Sequence, residues 1–233
     1  NARNEVAGLP AYLELNCEAG KQAKPSLYIL AVGINRYFDR ALWLQYAVPD
    51  VESITSEINK SGTSIYAKVE VYKILDTEAT SSGIETAFNK LSVQMQPQDA
   101  FVFYLSGHGM TLDGRYYFLP YDFRYRNEES VRSDGVTQDR LQTWLAMIPA
   151  RNSLVLLDTC ASGSMAIGNK AVMRGIEEKA AIDKLSRAIG RSTIAAAMDT
   201  QPALEGYKGH GVFTYVFMDA LKNADSSNGN KDG

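Results

Sequence analysis

The stretch Phe101-Val-Phe-Tyr-Leu-Ser-Gly-His-Gly109 decides how this chain is read. Five apolar residues stop abruptly at an imidazole flanked by glycines, the pattern of a strand buried on both faces and ending at a turn. Residues 154–163, Leu-Val-Leu-Leu-Asp-Thr-Cys-Ala-Ser-Gly, repeat the design and deliver Cys160. A thiol becomes a useful nucleophile near neutral pH when a neighbouring base or positive field makes it a thiolate. Two such strands ending side by side in one sheet would pair His108 with Cys160. That pairing predicts cysteine-peptidase chemistry.

Working outward, strand and helix patterns alternate along the chain. Leu27 to Val32 is a continuous apolar run closed by Gly33, and Lys68 to Leu75 alternates as a strand. Asp50 to Ile58 carries Val51, Ile54 and Ile58 at helical spacing, and a helix capped by Ser81 or Ser82 carries Ile84, Ala87, Phe88 and Leu91. After the His108 strand the pattern gives a long loop, a helix near Val136 to Ile148, and the Cys160 strand. A helix over Arg174 to Ile189, a strand over Thr193 to Ala197 and a helix over Val212 to Leu221 complete it. Such alternation predicts an α/β fold with a mostly parallel sheet and helices on both faces, whose sites form at the carboxyl ends of the strands.

Bulk properties exclude several alternatives. A 233-residue chain that is 45% hydrophobic fills one substantial core. Its formal net charge of −3 gives no basic footprint for nucleic acid. No apolar run approaches the roughly 20 residues of a membrane span, and no secretory pattern opens the sequence. Two cysteines argue against a disulfide framework and for a reducing compartment, the cytoplasm. Residues 1–25 read as an extension or linker, 26–222 as the folded domain, and 223–233 as a polar loop cut short. The start on Asn fits a fragment of a longer chain whose other domains would be partners.

Both histidines of the chain sit in Gly-His-Gly. His210 lies in Gly206-Tyr-Lys-Gly-His-Gly211, a loop entering a helix, where capping or surface roles are usual. His108 follows a strand that anchors it, as a catalytic base requires. Cys17 reads as structural.

The two motifs, with Leu30-Ala-Val-Gly-Ile-Asn35, Ala47-Val-Pro-Asp50 and Gly209-His-Gly-Val-Phe-Thr-Tyr215, resemble the caspase superfamily. They are nearer to metacaspases and bacterial caspase-like proteases than to animal caspases, whose histidine also lies roughly 50 residues before the cysteine. The resemblance spans about Ser26 to Leu221 and implies a three-layer α-β-α sandwich. It implies Cys160 as nucleophile, His108 as proton carrier, and the N–H groups of Gly109 and Cys160 as the oxyanion hole. Animal caspases carry glutamine two residues before the cysteine; here Asp158 stands there. With Asp50 and Ser106 it matches the metacaspase pocket for a basic side chain, because two carboxylates facing one pocket call for a cation between them. The implied substrate is a protein or peptide cut after Arg or Lys.

The resemblance also places residues 165–192 at the linker that animal caspases cut. Lys170, Arg174, Lys179, Lys184, Arg187 and Arg191 are its candidates for self-processing, against a plain solvated helix face. No cofactor is required by this reading. Asp122, Glu128, Glu129 and Asp134 lie near where some metacaspases bind calcium, with Arg124, Arg126 and Arg132 among them to neutralise them. Residues 228–233, Asn-Gly-Asn-Lys-Asp-Gly, resemble the opening of a calcium loop. Two other readings stay open: a catalytically unused scaffold or regulatory domain, and an α/β domain using Asp50 and Asp158 to capture a cationic metabolite.

Overall fold

The computed structural model describes residues 24–161, 171–196 and 205–224. Cys17, Lys170, the segment before residue 24 and the stretch from residue 225 onward lie outside them. The apolar run Leu27–Gly33 forms β1, every residue of it buried. It continues through α1 (Ala47–Gly62) to β2 (Val69–Leu75), which pairs parallel with β1. Then come α2 (Ser81–Gln94), capped by the Thr80 hydroxyl accepting from Gly83 N–H, and β3 (Ala100–Leu112). Next are β4 (Arg115–Phe118), α3 (Glu128–Asp134), β5 (Val136–Thr137), α4 (Gln138–Met147) and β6 (Asn152–Ala161). The chain goes on through α5 (Ala171–Ile189), β7 (Ser192–Ala195), the short pair β8 (Glu205–Tyr207) and β9 (His210–Gly211), and α6 (Val212–Ala224).

The parallel strands run in the order β2, β1, β3, β6, β7, with β3 central. Helices α1 and α6 cover one face, where Val51 and Ile54 of α1 and Phe213 and Phe217 of α6 pack with Ile29, Ala31, Tyr104 and Leu156 of the sheet. Helices α2, α4 and α5 cover the other, where Phe88 meets Phe101, Phe103 and Trp144 ring to ring. The result is the expected three-layer α-β-α sandwich. None of the described helices is long and apolar enough to cross a membrane.

The structure corrects the sequence reading at β3. The strand does not end at Gly-His-Gly but runs on to Leu112 and folds back antiparallel onto β4. The turn is Asp113-Gly114, with φ of 51° and 68° at the two residues. Asp-Gly between strand-like flanks is a hairpin signal because both positions need positive φ. The expected long loop therefore contains a hairpin and α3. The helix expected from Val136 starts at Gln138, since Val136 and Thr137 pair with β4 and the Thr137 hydroxyl caps the helix by accepting from Arg140 N–H.

One side chain ties the last parallel strand to the layer beneath. Arg191, at the entrance to β7, donates to the carbonyls of Leu145 at 2.9 Å, Ile148 at 2.7 Å and Ala150 at 3.1 Å, and to Ser153 Oγ. These carbonyls close α4 and the turn after it, groups a helix end leaves without intrahelical partners.

Candidate active site

Strand overhang builds the site. β1 ends at Gly33, in register with Ser106, while β3 and β6 continue in parallel to the pair Gly109–Ala161. His108 and Cys160 are Cα partners in that overhang. Adjacent strands lie about 4.8 Å apart, so the register brings these two residues to neighbouring backbone positions.

His108 is held from three sides. Its backbone N–H donates to the Tyr37 hydroxyl at 2.7 Å, and the two rings lie 5.1 Å apart. Its own carbonyl accepts from Leu119 N–H. Its Nε2 sits 3.0 Å from the Leu42 carbonyl oxygen. A carbonyl can only accept, so Nε2 carries the proton and Nδ1 is left with the lone pair. Burial lowers the imidazole pKa, which favours the neutral ring and leaves the Nδ1 lone pair free to take a proton.

The glycines beside His108 are required by their own neighbours. A side chain at 107 would start 2.7 Å from the Tyr37 hydroxyl, and one at 109 would start 2.8 Å from the Tyr116 ring. Tyr116 in turn donates its hydroxyl to Thr159 Oγ1 at 2.7 Å, next to Cys160 in sequence. The protein's own tyrosines demand both glycines.

One step down the strands lies an acidic cluster. Ser106 is buried, in register with Asp158. Asp158 Oδ2 accepts from Tyr104 Oη at 2.8 Å and Thr214 Oγ1 at 3.1 Å. Asp50 reaches the same place from the first turn of α1. That helix lacks a cap at Tyr46, and Asn35 Oδ1 caps it from outside by accepting from Val48 N–H at 3.0 Å. Asp50 is 2% exposed. Burial pushes its carboxyl up to about 6, with the nearby Asp158 adding to the rise and donors from Gly211 and His210 opposing it. Burial also raises Asp158. A Cβ built on Gly211 would stand 2.8 Å from Asp50 Oδ2 and 3.7 Å from Asp158 Oδ2, so glycine is what lets the chain pass between the two carboxylates.

His210, expected at a cap or on the surface, belongs to this cluster. Its Nδ1 lies 3.0 Å from Asp50 Oδ1, and Gly211 N–H donates to Asp50 Oδ2 at 3.0 Å. The arrangement is thus an imidazole and a cysteine at neighbouring backbone positions, with two carboxylates close together one step down the strands.

The acidic loop after β4 is largely spoken for. Arg126 pairs with Asp134 at 2.7 Å, and Arg132 with Asp113 at 2.7 Å, Glu129 at 3.5 Å and Glu128 at 3.8 Å. In the segment expected to be self-cleaved, Lys184 and Arg187 are exposed on α5, whereas the Arg191 side chain is occupied by the carbonyls described above.

The caspase domain family, Peptidase_C14, matches residues 27–232. Comparison with curated proteins returns no match. Among solved structures, protein GSU0716 from Geobacter sulfurreducens aligns with a TM-score of 0.58 at 18% identity, over 86% of this chain and 83% of that one. At that identity the likeness speaks for the fold alone. A lipase/acylhydrolase from Enterococcus faecalis aligns more loosely, with a TM-score of 0.40 at 13% identity over 86% of this chain and 94% of that one, and carries no argument.

Proposed function

Because the chain belongs to the caspase domain family, a family of cysteine peptidases, we propose that it is an endopeptidase whose dyad is His108 and Cys160 and whose primary pocket takes Arg or Lys. The observation that carries the reading is the register pairing of His108 with Cys160 in the overhang of β3 and β6. The thiol proton passes to His108 Nδ1, and the thiolate adds to the peptide carbonyl carbon. The oxyanion is stabilised by the N–H groups of Gly109 and Cys160, each such donor being worth about 2.7–4 kcal/mol. His108 then returns the proton to the departing amine as the C–N bond breaks, leaving an acyl-enzyme. Water attacks that thioester with His108 as base, releasing the acid and restoring the thiol.

The Leu42 carbonyl does the work an acidic third residue does elsewhere: it fixes which imidazole nitrogen is basic. Asp158 and Asp50 supply the negative field for the residue before the cut, and Ser106 lines the same pocket. The reaction as written uses no cofactor. Self-processing within residues 165–192 is part of the proposal.

A panel of fluorogenic peptides differing only in the residue before the cut, run with and without calcium, tests it. Cleavage of Arg and Lys peptides that disappears in Cys160→Ala is the expected result. Wild-type protein that cleaves none of the panel and whose Cys160 is not labelled by an Arg-directed chloromethylketone would point to the scaffold reading instead.

A further inference from the structure

The two pocket carboxylates are held unequally. Asp50 is almost wholly buried and each of its oxygens already has a donor, Oδ1 from His210 Nδ1 and Oδ2 from Gly211 N–H. Asp158 keeps partial contact with solvent, and both of its bonds fall on Oδ2. Its Oδ1 has no hydrogen-bond partner among the described residues.

We propose that Asp50 and His210 are positioning residues that latch the β8–β9 hairpin to the start of α1 as a wall of the pocket, while Asp158 Oδ1 takes the cation of the substrate. This rests on the peptidase reading for the identity of the ligand. It departs from the expectation that both carboxylates grip the substrate alike.

The physical case begins with the hairpin. Strands of three and two residues are too short to hold themselves in water. Two bonds to a buried carboxylate supply the anchorage, and charge-assisted bonds of this kind are roughly twice as strong as neutral ones. The latch also reaches Asp158. β9 runs without a break into α6, whose third residue, Thr214, bonds to Asp158 Oδ2 and lies 2.8 Å from the Tyr104 hydroxyl. Residues 210 to 214 therefore touch both carboxylates, and releasing His210 from Asp50 loosens the group that aims Asp158. A positioning role should appear in KM more than in kcat, since the dyad stands on β3 and β6 rather than on the hairpin.

The test is amide hydrogen exchange by mass spectrometry over residues 205–214 of the intact chain, with kcat and KM for an Arg peptide on the same samples. His210→Ala should speed exchange of these amides by about tenfold and raise KM by about tenfold, with kcat changed by less than about threefold. His210→Asn, whose side-chain amide presents an N–H near the place of Nδ1, should restore both. Asp158→Asn should leave exchange at the wild-type rate while raising KM. Exchange unchanged in His210→Ala overturns the latch, and wild-type KM in Asp158→Asn overturns the assignment of the cation to Asp158. A parent protein that cleaves neither Arg nor Lys peptides defeats the peptidase reading instead, and the exchange pattern still decides the latch.

Discussion

Leu42 offers its backbone carbonyl to His108 Nε2 at 3.0 Å across 66 residues of sequence. The contact places a main-chain acceptor where many hydrolases put a carboxylate. A neutral acceptor orients the ring without stabilising its charged form as strongly as a carboxylate does. Burial lowers the His108 pKa, and the Leu42 carbonyl opposes that fall without cancelling it.

Replacing either member of the dyad should abolish cleavage of an Arg peptide. Cys160→Ala and His108→Ala are each expected to fall to background in kcat, because the thiolate needs both partners. Turnover retained by His108→Ala would identify another base.

Tyr37→Phe removes the acceptor of the buried His108 N–H while keeping the ring contact. An orphaned buried donor costs about 1–3 kcal/mol. The variant should lose stability of that order in urea unfolding and should lose kcat, as the ring shifts relative to Cys160. Wild-type stability and turnover together would show that the hydroxyl is dispensable.

Asp158→Asn should lower kcat/KM for Arg peptides at least about tenfold, since removing one partner of a desolvated charge pair typically costs about 2–5 kcal/mol. Shape is preserved, so the loss reports charge. Preference for Asp over Arg before the cut, measured in the parent, would overturn the pocket assignment.

Acidity should act through Asp50. Its folded value of about 6 lies above the ordinary aspartate value of about 3.9. The folded state therefore takes up the proton first, and the group's contribution favours folding increasingly as pH falls from above 6 toward about 4. In activity the sign is opposite: protonation removes the charge that holds His210 and helps attract a cation. The profile of kcat/KM for Arg peptides should show an acid limb near 6 that is absent in Asp50→Asn. The same limb in both proteins would assign it to another group.

Gly211→Ala places a methyl group 2.8 Å from Asp50 Oδ2, a separation real side chains do not adopt. The hairpin must move, and KM for Arg peptides should rise about tenfold or more by analogy with other lost buried contacts. Unchanged KM would mean that the chain at 211 has slack that the geometry does not display.

The fold was legible in the sequence because β1, β3 and β6 are continuous apolar runs, and runs of that kind have few other homes. His108 and Cys160 are legible because each follows such a run, although β3 continues past His108 to Leu112. Less visible was the Asp113-Gly114 hairpin, whose two arms are short and extend a strand that the Gly-His-Gly motif marks as already finished. Tyr37 and Leu42 left no trace: a main-chain carbonyl has no residue signature, and a tyrosine in a loop does not announce which amide it will meet. His210 gives no local sign of its place, because its contact is with Asp50, 160 residues away. Its local setting of glycines and a helix start fits a surface turn equally well.

The grip of Arg191 bears on what proteolysis would do to this molecule. Its guanidinium fastens β7 to the carbonyls that close α4, while β7 itself zips along β6 from Leu154 to Leu157. A break in the self-processing segment ahead of Arg191 should divide the covalent chain while these contacts hold the two parts together. Two bands under denaturing conditions would travel as one species through a sizing column, and only unfolding would part them.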